Sequence, residues 1–441
     1  MTLIIALSIV FFYTWINDYN VLLRFPYIMK GNIFITFVYI VLLYIFMIIF
    51  DCNNLSTQKI VLIIISEFLS VIFCNTLVYL LVIIPTASIG FLPFMPILYM
   101  TLNDMVIIVI WSLLVLFLYN NFYSPKKLLL ISNDVEIDEI IHKISKRKDL
   151  YDIDSKITFN RDKIKDIYAE CDKYDNILIG DLTSEDRNDV LKYSFNTSKD
   201  VYLIPKLSDI LIKYSDDIFA FDTPIYYSSN FSLSLESKFI KRIIDIALSL
   251  IVILVFLPFW LIVAILIKLE DNGPVFYFQE RVTIDLKKFT IIKFRSMKVD
   301  KTTIVRPTTD DDDRITKIGA FIRKFHIDEI PQFINVLIGD MSIVGPRPER
   351  IEHVKLYSEE IPEFTYRYKV KAGITGLAQI YGKYNTSAIN KLKLDLIYIK
   401  RYSVIFDLEL IFRTIKVLFL KDNTEGFNEK SKDHIMTNAN K

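Results

Sequence analysis

Cysteine is scarce in this chain. Cys52, Cys74 and Cys171 are the only three among 441 residues, and no two form a CxxC pair. That argues against a disulfide framework or a cysteine-based zinc site, and it reads the aqueous part as cytoplasmic. Charge is scarce in one region only. Residues 1–123 hold three basic residues (Arg24, Lys30, Lys59) and four acidic ones (Asp18, Asp51, Glu67, Asp104). Glycine is scarce as well, and Gly180 is the only one between 124 and 218. Net charge is +1, which leaves no electrostatic footprint for nucleic acid as a partner.

What is present is apolar. Hydrophobic residues make up 52% of the chain, concentrated in its first quarter. Membrane spans need about 20 apolar residues, and the sequence predicts four, at 2–17, 33–50, 60–84 and 105–122. A proline-containing segment at 85–101 fits no single element. The N-terminus lacks a basic n-region and further spans come after it, against a cleaved signal peptide. Lys126 and Lys127 after the last span favour the cytoplasm for the chain beyond residue 127. Arg24 and Lys30 would then lie outside, against the same rule. No charge cluster suggests a transport path, and Glu67 reads as a packed or boundary residue.

Residues 124–218 alternate strand-like and helix-like runs. "KKLLLIS", "YDNILIGD" and "DVYLIP" read as buried strands, with helical patterns at about 135–147, 161–173 and 184–194. This is a parallel, Rossmann-like α/β pattern. Dinucleotide chemistry would sit just after the first strand. There "ISNDVEID" has no glycine, so a phosphate-cradling loop is not expected. Residues 219–237 read as a linker.

A second kind of apolar run comes next. Ala247 to Ile267 is uncharged and long enough to span, with Lys241, Arg242 and Lys268 as flanks. Pro258 sits in its middle, where it removes a helix hydrogen bond and bends the axis. A plain fifth span and a bent helix that enters and leaves on one face are both open. A plain span would put everything after 268 outside.

From Asn272 onward polar motifs crowd together. "FTIIKFRSM" places Lys293 and Arg295 on one strand face. "RITKIGAFIRK", with Arg323, lies after the acid run Asp310 to Asp313. Then comes "FHIDEIPQFINVLIGDMSIVGPRPE". Pro331 belongs near a helix start, so Asp328 and Glu329 lie in or just before its first turn. Positive helix-end potential there favours carboxylates and anions. Asp328, Gln332 and Asn335 recur at helical spacing as a polar stripe. One carboxylate could attack phosphorus and form an acyl-phosphate, while the other could hold Mg²⁺ together with phosphate oxygens. Arg347, fixed between Pro346 and Pro348, offers a fork suited to a phosphate oxygen pair. Lys293, Arg295, Arg323 and Arg347 together favour that chemistry over a solvated helix start.

With "IDEIPQFINVLIGDMSIVGPRPE", "IIKFRSM" and "KAGITGLAQIYGKY" in one order, the chain resembles the bacterial polyprenyl-phosphate hexose-1-phosphate transferases, the long-form monotopic phosphoglycosyl transferases. The resemblance covers about 238–420. It implies an N-terminal helical transmembrane bundle (1–123), a parallel α/β middle domain (124–218), and an α-rich α+β catalytic domain (238–420). The catalytic domain would carry a re-entrant membrane helix near 243–268, and a polar tail would close the chain at 421–441. It implies transfer of sugar-1-phosphate from a UDP-sugar to undecaprenyl phosphate with release of UMP, initiating capsule, exopolysaccharide, O-antigen or glycoconjugate synthesis. Asp328 maps onto the nucleophile and Glu329 onto the Mg²⁺-associated carboxylate. Pro346, Arg347 and Pro348 map onto the nucleotide-side element, and Lys293, Arg295 and Arg323 onto phosphate contacts. The implied location is the bacterial inner (cytoplasmic) membrane, with the catalytic domain on its cytoplasmic face. The partners are the bilayer and the two substrates, and a homodimer is compatible. Glucose or galactose is a family-level lean. Thr283, His326, Ala372 and Asp313 depart from the family pattern without removing a proposed chemical group, and His326 either tunes the dyad or, as is commoner for a histidine at a helix start, serves the structure.

Two rivals stand beside that reading. A membrane-anchored nucleotide-sugar dehydratase or epimerase shares the front architecture, but it needs the glycine-rich loop that "ISNDVEID" lacks. A non-enzymatic scaffold would have no reason to keep Asp328, Glu329 and Arg347. A ligand-sensing role for the middle domain is compatible with the transferase reading.

Overall fold

The computed structural model describes residues 1–23, 25–52, 60–86, 93–133, 141–142, 144–145, 147–220, 222–228, 233–298, 314–382 and 386–418. Arg24, Lys59, most of the loop after "KKLLLIS", much of the 135–147 helical pattern, the acid run at 310–313 and the 421–441 tail lie outside them. The chain divides into two compact units, 1–206 and 207–441.

The first unit opens with helices α1 (Thr2–Thr14), α2 (Met29–Ile49), α3 (Ile60–Thr86) and α4 (Met95–Phe122). α1 continues through a π turn and a 3-10 turn to Leu22, longer than the expected span at 2–17. α4 starts ten residues before the expected 105, because Pro96 falls at its first turn, where a missing N–H costs nothing. That extension takes in Asp104, expected just outside a span. It is fully buried and accepts a hydrogen bond from Asn75 Nδ2 at 3.0 Å. Glu67 accepts from Ser112 Oγ at 3.0 Å, so it is a packed residue. Each buried acid thus has a partner on the neighbouring helix, as lipid-embedded polar groups require.

The same unit continues as a four-stranded parallel sheet. Its strands are β1 (Lys126–Ser132), β2 (Tyr151–Thr158), β3 (Asn176–Ile179) and β4 (Asp200–Leu203), in the order β2-β1-β3-β4. Helices α5 (Ile164–Cys171) and α6 (Ser184–Asn196) accompany it. Leu129, Ile131, Ile177 and Ile179 are fully buried, as the apolar runs predict. β2 has no counterpart among the expected strands. It is an edge strand whose alternation puts Asp152, Asp154 and Lys156 outward, which hides it among polar residues. At the strand ends where such sheets bind ligands, Asn133 N donates to Asp181 O at 3.3 Å and Asp181 N to Ser132 Oγ at 3.2 Å.

The second unit begins with α7 (Leu207–Lys213), whose Ile210 joins that unit's core. A hairpin of β5 (Asp216–Ala220) and β6 (Thr223–Tyr227) comes next, starting in the last residues assigned to the middle domain and running into the stretch 219–237 read as a linker. α8 then runs unbroken from Leu235 to Asp271, with Pro258 inside it. At about 1.5 Å per residue it is about 55 Å long. Both its ends are fastened to the same unit. Near the start, Arg242 donates to the carbonyls of Val336 and Leu337, and Asp245 accepts from Ser342 Oγ and Ile343 N. Near the end, Trp260, Val263 and Ile267 pack on Phe294 and Ile322, and Glu270 accepts from Lys317 N. Between these anchors Leu250, Ile251, Leu254, Val255, Phe256 and Leu257 are exposed.

The rest of the unit holds the hairpin β7 (Phe276–Val282) and β8 (Lys288–Phe294), α9 (Lys317–Lys324), α10 (Gln332–Ile338) and β9 (Ser342–Val344). After these come α11 (Ile351–Glu360), β10 (Gly373–Thr375), α12 (Leu377–Tyr381), α13 (Ala388–Arg401) and α14 (Val404–Leu418). Ile291, Val336, Ile343, Phe364, Leu392, Leu396 and Leu410 form its principal core. Among the described residues five helices (α1 with its continuation, α2, α3, α4 and α8) are long and apolar enough to cross a membrane.

Candidate active site

The site is assembled on the β7–β8 hairpin. Cross-strand partners share a face of a sheet, and the register pairs Tyr277 with Lys293, Gln279 with Ile291 and Arg281 with Phe289. Lys293 and Arg281 therefore project to one side. Asn335 fastens α10 beneath them. Its Oδ1 accepts from Ile292 N at 3.0 Å and its Nδ2 donates to Thr290 O at 2.7 Å. The polar stripe expected on this helix thus divides by role, because Asn335 is a structural clamp.

α9 ends at Lys324 with Phe325 as its cap, and His326 takes a left-handed conformation with φ 55°. That turn starts the short 3-10 segment Ile327–Glu329, with Pro331 just before α10. Asp328 and Glu329 thus stand ahead of the helix proper, as the sequence predicts. Glu329 Oε1 accepts from Lys293 Nζ at 2.7 Å and from Arg347 Nη2 at 2.9 Å. The Glu329 and Lys293 side chains are 15% and 17% exposed, whereas Arg347 is 51% exposed and open to a ligand.

The adjacent acids are driven apart. Burial alone would raise Glu329, but Arg347 and Lys293 outweigh it and hold the carboxyl well below the usual range. Asp328 is pushed up, first by burial and then by the neighbouring Glu329 charge. Lys293, His326 and Arg323 offset this only in part.

The segment from Pro346 to Glu349 is held carbonyl by carbonyl. Pro346 O accepts from Gly373 N, Arg347 O from Arg367 Nη2, Pro348 O from Arg281 Nη1 and Glu349 O from Val282 N. Gly345, Gly373 and Gly376 pack back to back here. A Cβ on Gly373 would collide with Gly345, and one on Gly376 with the Gly345 carbonyl. This contact between "GPRP" and "AGITG" leaves no room for side chains. It fixes where the Arg347 fork points, which proline rigidity alone does not.

Of the residues named from sequence, Glu329, Lys293 and Arg347 form one bonded cluster, with Asp328 beside it. Pro348 lines the same cleft, and Pro346 supplies the bond to Gly373. Arg323 acts on Asp328 through its charge. Arg295 goes elsewhere. Lying just past the end of β8, it forms an ion pair with Asp271 at the end of α8.

Other residues escape a sequence reading. Arg281 and Gln332 line the cleft with Ile291, Gly373 and Ile374. Burial, with the nearby Arg347 and Arg350 charges, lowers the Arg281 pKa to about 10. Behind Arg347 lies a buried network. Arg367, 1% exposed, pairs with Asp395 at 2.8 Å and with Glu349 at 3.5 Å. Strand alternation could have found Arg281. The Arg367–Asp395 pair joins residues too far apart in sequence to leave a local signal.

Residues 236–421 match the family model described as bacterial sugar transferase. The UDP-glucose:undecaprenyl-phosphate glucose-1-phosphate transferase of Escherichia coli strain K12 is 39% identical over 226 residues, 50% of this chain and 49% of that protein. A UDP-N-acetylgalactosamine-undecaprenyl-phosphate N-acetylgalactosaminephosphotransferase of Aeromonas hydrophila is 44% identical over 41% of this chain and 44% of its own length. An exopolysaccharide production protein of Rhizobium leguminosarum bv. phaseoli is 41% identical over 40% of this chain and 93% of its own length. The match spans about half or less of the first two relatives, and nearly all of the third.

Proposed function

Since the chain belongs to the bacterial sugar transferase family, we propose that it transfers a sugar-1-phosphate from a UDP-sugar to undecaprenyl phosphate, releasing UMP. The observation that carries this reading is the split environment of the dyad. Glu329 is held ionised by two cations, while among the described residues the Asp328 carboxyl is tied up in no ion pair.

In the proposed mechanism an Asp328 carboxylate oxygen attacks the β-phosphorus of the UDP-sugar. The new O–P bond forms as the bridging O–P bond to UMP breaks, and UMP leaves with the bridging oxygen and its electron pair. An oxygen of undecaprenyl phosphate then attacks the same phosphorus and expels the Asp328 carboxylate, giving the lipid diphosphosugar. Covalent catalysis divides one difficult displacement into two. Lys293 and Arg347 stand where negative charge spreads over the phosphoryl oxygens, and preorganised cations of this kind are worth most in a partly dry site.

The donor set suits Mg²⁺ shared with the substrate. Among the described residues no group of three or more His, Cys, Asp or Glu side chains could hold a metal alone. Mg²⁺ commonly takes one or two carboxylates and fills its shell with phosphate oxygens and water. Glu329, whose two protein bonds both fall on Oε1, is the carboxylate that would hold it. When bound it would supply charge neutralisation to the diphosphate.

Membrane placement rests on the same kind of reasoning. The two anchored ends of α8 favour a helix that rests in one face of the inner membrane over one that crosses it, with the dyad on the cytoplasmic side. The reading is tested by incubating the purified full chain with a panel of UDP-sugars, undecaprenyl phosphate and Mg²⁺. Release of UMP with formation of a lipid-linked product is expected, with UDP-glucose or UDP-galactose the first candidates. No UMP from any UDP-sugar would overturn it.

A further inference from the structure

Gln332 stands apart from the other polar groups of the cleft. It is 3% exposed, and it lines the cleft beside Glu329, Lys293, Arg281 and Arg347. Each of those four is hydrogen-bonded within the protein. The Gln332 side-chain amide has no hydrogen-bond partner among the described residues, although its neighbour on the same stripe, Asn335, uses both ends of its amide. The Gln332 amide is not among the fully enclosed unpartnered groups, so its polar atoms reach the cleft. A polar group in a cleft left without a protein partner is one that a ligand can satisfy.

The neighbours define the ligand. Arg281, Lys293 and Arg347 are donors only, and the one carboxylate of the cleft, Glu329, is already committed to two of them. Whatever enters is therefore rich in acceptors. The amide can offer two N–H bonds without adding charge. We infer that Gln332 is a substrate-contacting residue whose Nε2 donates to a phosphoryl oxygen of the bound diphosphate. Gln332 follows the dyad by one turn, so under the proposed function that oxygen is assigned to the phosphorus being transferred. The inference rests on the proposed function for the identity of that phosphorus, but not for the contact itself.

The contact is tested by comparing the full-length wild type with Gln332→Met, a side chain of similar length without hydrogen-bonding groups. Binding of inorganic pyrophosphate with Mg²⁺ is measured by calorimetry. Gln332→Met should bind about tenfold more weakly at an unchanged thermal midpoint, and Gln332→Glu more weakly still, because it places an anion beside an anion. The contact is overturned by equal affinity in wild type and Gln332→Met, by no pyrophosphate binding in the wild type, or by a weakening in Gln332→Met that accompanies a lowered midpoint. UMP release by the same wild-type preparation is scored separately. Pyrophosphate binding without UMP release from any UDP-sugar would sink the transferase reading and leave the Gln332 contact standing.

Discussion

Asp328 and Glu329 have almost the same chemistry, and their surroundings push them in opposite directions. Glu329 can stay ionised because two cations touch it, and Asp328 carries the strain. Burial raises the folded-state pKa of Asp328 above its unfolded value. The wild type therefore loses stability as pH rises from the ordinary carboxylate range through that raised value. Asparagine cannot ionise, so Asp328→Asn should unfold at a higher temperature than wild type at pH 8 without Mg²⁺, while losing all UMP release. Below about pH 4, where both forms are neutral, the two melting curves should converge. A variant less stable than wild type at pH 8 would contradict the strained environment assigned to Asp328. Arg347→Lys keeps the charge but loses the planar fork. A fall of about a hundredfold in the rate of UMP release is expected from single-turnover kinetics, and a fall of less than threefold would remove the fork from the account. Behind the site, breaking the buried Arg367–Asp395 pair by Arg367→Met should cost about 3–5 kcal/mol in denaturant unfolding.

At the scale of elements, local patterns in the sequence carried most of the site. Proline at 331 announced the helix start, and the two-residue spacing of Lys293 and Arg295 announced the strand. The clustering of Lys293, Glu329 and Arg347 results from those two elements meeting. What could not be read locally depends on where elements end. Arg295 shares an alternation with Lys293, yet β8 stops one residue earlier and Arg295 turns to Asp271. β2 was hidden because an edge strand can carry charge on its outer face. The pairing of β9 with β10 requires glycine on both sides, and the sequence shows the glycines but not that they touch. Gly376→Ala should therefore destabilise the chain by about 1–3 kcal/mol and slow UMP release by displacing Arg347. An unchanged melting temperature would mean that the backbone can give way there.

At the scale of the whole molecule, the apolar first quarter, the parallel sheet and the chemistry-bearing last unit are all visible in composition. The placement of α8 is not, because its length and hydropathy fit a plain span and a bent helix alike. Its anchors at Asp245 and Glu270 are 25 residues apart, and both join the second unit. A reporter fused at position 425 should accordingly be cytoplasmic, and a periplasmic signal would mean that α8 crosses the bilayer.

The central claim is that Asp328 forms a covalent bond to the transferred phosphorus. The most direct test omits the lipid acceptor. The full chain is mixed with a UDP-sugar and Mg²⁺, quenched in acid, and its peptides are weighed by mass spectrometry. One sugar-phosphate added to the peptide carrying Asp328, with a matching burst of UMP that Asp328→Asn lacks, is the predicted result. UMP released only when undecaprenyl phosphate is present, with no adduct at Asp328, would contradict the account.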